Sequence, residues 1–232
     1  MISIVIPILN EAENIENLLF HLIDNASLQN IQEIIVVDGG STDGSQKIVE
    51  QLDLKVKLIH SKKGRAKQMN VGANAARGEI LYFLHADSFP PTHYDNYIIE
   101  EIKQNNQAGC FRLTFDNNHW WLRLASWLTQ FSWRACRGGD QSQFITKTLF
   151  EDIGGFDERF AIYEDNILIN ELYKRKQFVV INKKIKTSDR LYKRHGIWKL
   201  QYHFWTIYVK KWFGASANDL HAYYKKHIAL KS

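Results

Sequence analysis

The chain has 232 residues, 45% of them hydrophobic, 13% aromatic and 24% charged, with three prolines and thirteen glycines. A chain of this size buries roughly 70–75% of its unfolded surface and needs neither disulfides nor a structural metal, and the composition excludes disorder, collagen-like repeats and a disulfide scaffold. A formal charge of +5 and a pI near 9.0 favour anionic partners, while two cysteines, Cys110 and Cys136, suit a reducing compartment and a cytoplasmic location.

The opening segment MISIVIPILNEAENI lacks a positive leader and meets Pro7 and then acids, so it reads as a buried strand over Ile2 to Leu9 and not as a signal peptide. Ile15, Leu18, Leu19, Leu22 and Ile23 recur on one helical face. IIVV at 34–37 is a second strand; DGGSTDGS breaks it, and Ser41 or Thr42 is the expected cap of a helix carrying Ile48, Val49 and Leu52. Val56 to Ile59 forms a third strand, an Ala-rich helix covers 66–77, and Ile80 to Leu84 forms a fourth strand ending at His85-Ala86-Asp87. Strands alternating with helices predict an α/β fold with a mostly parallel, Rossmann-like sheet flanked by helices. The second half continues with a strand at 109–115, an aromatic segment, a Gly-rich stretch at 138–144, a helix over 164–175 and a strand near Phe178 to Ile181. We read one domain with a nucleotide-binding half, 1–116, and an acceptor half, 117–232, that ends in aromatic helices. No stretch approaches the ~18 apolar residues of a membrane span.

In parallel α/β sheets ligands bind beyond the carboxyl ends of the strands. That rule selects Asn10 and Glu11, Asp38 to Asp43, and His85 to Asp87 as lining one crevice. Asp38, followed by Gly39, offers a carboxylate for a base or ribose, or else only closes an Asp-Gly turn. Asp87 is placed to hold a hard divalent cation, or else to cap a helix or close a turn ahead of Pro90 and Pro91. Glu164 and Asp165 open a helix, where acids either complement the dipole or supply a general base. Arg190, Lys193, Arg194 and His195 form a basic cluster, either solvated or clamping a diphosphate.

Taken in order, ISIVIPILNEAENI (2–15), VVDGGSTDGS (36–45), GRAKQMNVGANAARGEILYFLHADS (64–88), GGFDE (154–158) and EDNIL (164–168) resemble family 2 glycosyltransferases of the GT-A fold. GRAKQMN, LHAD and YKRHGIW (192–198) narrow the resemblance to a bacterial family 2-like subgroup. The resemblance implies that Pro7, Asn10, Glu11, Asp38, Gly39, Arg65, Asn70, His85 and Ala86 line the nucleotide, and that Asp165 is the catalytic base. Asp87 and His195 would hold Mn2+ or Mg2+, and Arg190 and Arg194 would assist the diphosphate. Gly139, Asp140, Gln141 and Glu164 are expected in the donor or acceptor pocket. The chain departs from the family's Asp-X-Asp at His85, where the first acid would stand.

The implied activity is inverting transfer of a sugar from a nucleoside-diphosphate sugar, UDP-sugars favoured, to an acceptor hydroxyl. The alternative is a catalytically silent module that binds the nucleotide sugar. A dinucleotide-binding oxidoreductase would need G-x-G-x-x-G after the first strand, where LNEAEN stands. No nucleic-acid reader motif accompanies the basic residues. Trp198, Tyr202, Trp205, Val209 and Trp212 recur on one helical stripe. That stripe either packs onto the core or a second subunit, or lies peripherally on the inner face of an anionic membrane, within reach of a lipid-linked acceptor.

Overall fold

β1 (Ile2–Ile8) is buried along its whole length, which is why its sequence shows no polar alternation. It lies inside the sheet, pairing in parallel with β2 (Ile31–Asp38) on one side and with β4 (Ile80–Phe83) on the other. β3 (Val56–His60) extends the parallel set beyond β2. The structure, a computed structural model, describes residues 1–52, 54–138 and 141–229. Between these strands run α1 (Ile15–Asp24), α2 (Ser45–Gln51) and α3 (Arg65–Ala75). The chain continues through β5 (Ser88–Phe89), α4 (Tyr94–Lys103), β6 (Ala108–Phe115), α5 (Trp120–Leu128), β7 (Gln143–Thr146), α6 (Lys147–Ile153) and α7 (Glu164–Lys174). It closes with β8 (Val179–Thr187), α8 (Arg190–His195), α9 (Ile197–Trp212) and α10 (Ala217–His227).

The strand order is β3-β2-β1-β4-β7-β6-β8-β5, with β7 antiparallel to both β4 and β6. One sheet therefore carries strands from both halves of the chain. Alternation along β1 assigns its side chains to two cores: Ile2, Ile4, Ile6 and Ile8 pack with α1, while Val5 packs with Met69 and Ala73 of α3. α3 lies so close to the sheet that a Cβ at Gly72 would stand 2.3 Å from Val5 Cγ1.

Three expectations are corrected. α2 begins at Ser45 behind Gly44, whose φ is 92°, and is not capped by Ser41 or Thr42. Both of those residues are committed earlier: Asn10 N donates to Ser41 Oγ at 2.9 Å, and Thr42 N donates to Asn10 Oδ1 at 2.8 Å. Second, the Gly-rich stretch at 138–144 contains the start of β7, because Gln143 and Phe144 pair with Phe83 and Tyr82. Third, the tryptophan stripe of α9 does not pack onto the core. The opposite face does so, with Leu200 and Ile207 joining Phe160, Ile162, Leu220 and Ile228 in a third core and His203 buried beside Tyr223.

Cys110 and Cys136 are free thiols. Among the described residues no helix is long and apolar enough to cross a membrane.

Candidate active site

The loops after β1 and β2 are laced by backbone-to-side-chain hydrogen bonds. Besides the Asn10 bonds to Ser41 and Thr42, Glu11 N donates to Ser45 Oγ at 2.9 Å and Ala12 N to Asp43 Oδ2 at 2.9 Å. Asp38, 1% exposed, accepts from Gly40 N at 2.8 Å, Ser41 N at 3.1 Å and Gln46 Nε2 at 2.7 Å. Burial alone would raise its pKa, but the hydrogen bonds from Ser41, Gly40 and Gln46 outweigh it and hold the carboxyl below the usual range. Gly39 packs against Gln68, whose amide bridges the carbonyls of Ile8 and Val37 at 2.8 Å each. The exits of β1 and β2 are thus fixed to one another.

The exit of β4 joins them through α8. Arg190 donates both terminal nitrogens to Glu11, at 3.0 and 2.6 Å, and its Nε lies 3.3 Å from Asp87 Oδ2. The Glu11 hydrogen bond is the main reason that the guanidinium pKa is raised. Three separate segments, near residues 11, 87 and 190, thereby meet at one cation. Arg194 is exposed in the last turn of the same helix. His195 ends that helix with Nε2 buried and without a hydrogen-bond partner.

Glu11 and Asp87 bring hard carboxylate oxygens to one cation, the Arg190 guanidinium. Such donors suit Mg2+ or Mn2+ when phosphate oxygens and water supply the other ligands. Among the described residues no group of three or more His, Cys, Asp and Glu is placed to hold a metal. The described residues thus make no all-protein cage.

Asp165 lies in the first turn of α7 and is 9% exposed. It lines a small cavity with Pro7, Met69, His85, Ser142 and Gln143, so α7 reaches the exits of both β1 and β4. Tyr163, just before the helix, has a left-handed φ of 73°, and Tyr208 of α9 packs edge-on against its ring at 5.2 Å. That contact holds an otherwise costly turn. Beside Asp165, Glu164 is fully buried, and Arg65 Nε lies 2.9 Å from its Oε1 as an ion pair rather than an aligned hydrogen bond. Ala86 is buried at the start of the loop that carries Asp87.

Two expected site residues are committed to the scaffold. Asn70 clamps the GGFDE turn, donating to Phe156 O at 2.9 Å and accepting from Phe156 N at 2.9 Å. Gln141, 2% exposed, donates to Cys136 O at 3.0 Å. Gly139 and Asp140 lie outside the described residues. Sequence reasoning missed Gln143, which is 4% exposed and has both amide atoms unpartnered at the cavity. The signal was a polar residue directly before the apolar pair Phe144-Ile145.

The sequence profile described as Glycosyl transferase family 2 matches residues 3–170. Glycosyltransferase AglE of Haloferax volcanii is 33% identical over 94 residues, 38% of this chain and 31% of the relative. The chain's matches span about a third of the length of such curated relatives. Among solved structures, TarS 1-349 of S. aureus in complex with UDP aligns with a TM-score of 0.64 at 20% identity, covering 81% of this chain and 60% of that one. Mannosyltransferase PcManGT of Pyrobaculum calidifontis, in complex with GDP-Man and Mn2+, aligns with a TM-score of 0.65 at 20% identity over 89% of this chain and 59% of that one. The architecture is the GT-A fold shared with these two structures.

Proposed function

Because the chain belongs to glycosyl transferase family 2, we propose that it transfers a sugar from a nucleoside-diphosphate sugar to an acceptor hydroxyl, with inversion at the anomeric carbon. The observation that carries this reading is the grouping of Glu11, Asp87 and Arg190 beyond the exits of β1 and β4, with Asp165 lining a cavity beside His85. Neighbours in fold bind UDP and GDP-Man, which supports the donor class; UDP-sugars remain the favoured donors.

In the proposed reaction the nucleoside lies against Asn10 and the Gly39 turn that the buried Asp38 carboxylate organises. Asp165 accepts the acceptor's proton as its oxygen forms a bond to the anomeric carbon. The bond from that carbon to the diphosphate oxygen breaks on the opposite face, and its electron pair leaves with the diphosphate. Arg190, with Arg194 nearby on the same helix, releases Glu11 and Asp87 to neutralise that charge. A divalent cation would be held by the Asp87 and Glu11 carboxylates, with His195 as the further ligand that the resemblance implies, and would supply further charge stabilisation to the leaving group.

Replacing Asp165 with Asn tests the assignment. Transfer falls by about 10²–10⁴-fold, the usual contribution of a positioned base, while the dissociation constant for the donor stays near that of the unaltered chain. Near-normal turnover in D165N removes Asp165 from this role.

A further inference from the structure

α5 and α9 each present an apolar ridge to solvent. On α9, Trp198, Tyr202, Trp205, Val209 and Trp212 are all at least 48% exposed, and Phe213 beyond its end is 85% exposed. At a rise of 1.5 Å per residue the ridge is about 22 Å long. On α5, Trp120, Leu124 and Trp127 follow the i, i+4, i+7 spacing of one face and all three are exposed. The ridges join at their near ends, where Trp120 and Trp198 stand 5.7 Å apart and Trp121 packs against Trp198 at 5.3 Å and Trp205 at 5.9 Å. This continuous aromatic face adds nothing to the third core, which the other side of α9 fills.

The charge of the segment that carries it is predominantly basic. Residues 190–232 hold nine Lys and Arg against the single acid Asp219, whereas residues 1–189 hold twenty-one against twenty-four. Lys199 and Lys210 are exposed on one flank of the α9 ridge, each following a ridge residue by one position. Beside α5 a cleft of about 260 Å³ is lined by Arg112, Arg123 and Lys184 together with Trp127. Indole rings and basic side chains combine favourably at the boundary between anionic headgroups and acyl chains, where each Lys or Arg adds to the attraction. A second copy is a poorer occupant. A two-fold contact through this face would set the strongly basic segment against itself.

We propose that the joint face of α5 and α9 docks onto the surface of an anionic bilayer, with its aromatic rings at headgroup depth and its basic flank on lipid phosphates. The proposal does not depend on the sugar-transfer reading, because its measurement needs no substrate. Co-sedimentation of the full chain with phosphatidylcholine vesicles, with and without phosphatidylglycerol, is the test.

Binding is expected only to the phosphatidylglycerol vesicles, weakening as salt rises and accompanied by a blue shift of tryptophan emission. W212S/F213S, which alters two side chains that are 85% exposed, lowers the partition coefficient about tenfold or more, as does K199E/K210E. Thermal melts of both variants, matching the parent, exclude loss of folding. Three outcomes overturn the proposal: no binding to phosphatidylglycerol vesicles at low salt, equal binding by W212S/F213S, or a solution dimer that W212S/F213S converts to monomer.

Discussion

At Asp38 one carboxylate organises the turn on which the proposed nucleoside contact depends. Its oxygens accept from Gly40, Ser41 and Gln46 while the residue is 1% exposed, so replacing an oxygen by an amide NH2 sets donor against donor. D38N is expected to lose about 1–3 kcal/mol at pH 7, the range for stranding a buried hydrogen-bonding group. The pH dependence follows from the lowered folded pKa. A carboxyl depressed on folding contributes stability above its unfolded value of about 3.9, and that contribution disappears as pH falls through the folded value. Asn does not titrate, so the gap between the two proteins is expected to narrow on acidification below about pH 4. Urea melts across that range measure it, and a gap independent of pH contradicts the assignment. The residue scale also separates what was legible from what was not. Asp38, Glu11 and Asp87 are readable because the strand-exit rule needs only local pattern. The partners of Arg190 and Asn70 are not, since Glu11 lies 179 positions from Arg190 and the Phe156 turn lies 86 positions from Asn70.

Helix α3 shows how closely an element is fitted to the sheet that presents those residues. Its sequence RAKQMNVGANA has little amphipathic character, and small residues face the strands: Ala66, Gly72 and Ala73 are among the buried set. At Gly72 a methyl group would sit 2.3 Å from Val5 Cγ1 and 3.0 Å from Val37 Cγ2. Both neighbours are β-branched residues of paired strands and have little freedom to move aside. G72A is therefore expected to destabilise by about 1–3 kcal/mol through overpacking, despite the better helix propensity of alanine. A lowered urea midpoint with an unchanged slope is the expected readout; a raised midpoint means that α3 shifts away from β1 at little cost. The same scale explains which elements the sequence concealed. β1 and α1 announce themselves through apolar runs and spacing. β7 does not, because Gln143 occupies a buried strand position and its pairing with Phe83 is non-local. α9 is misleading in the other direction: its aromatic stripe has the spacing of a core face, but Leu200, His203 and Ile207 supply the buried one.

Across the whole molecule the seven tryptophans, none before residue 120, report on the second half alone, whereas the proposed nucleotide crevice is built mainly by the first. One sheet joins the two halves. β7, from residues 143–146, stands between β4 and β6, so unfolding the second half leaves β4 paired on one side only, with β1, and opens the core shared by Val5, Ile145 and Leu168. Heating followed by tryptophan emission and by far-ultraviolet circular dichroism is therefore expected to give coincident transitions. A nucleoside-diphosphate sugar bound at the exits of β1, β2 and β4 should raise both transitions together. At one hundred times its dissociation constant the gain is about 2.7 kcal/mol. The measurement compares UDP- and GDP-sugars with and without Mn2+, and the greatest shift identifies the donor. An emission transition that precedes the dichroism transition, and does not move when the donor raises the latter, would mean that the aromatic half melts by itself and that the single sheet does not transmit binding across the molecule.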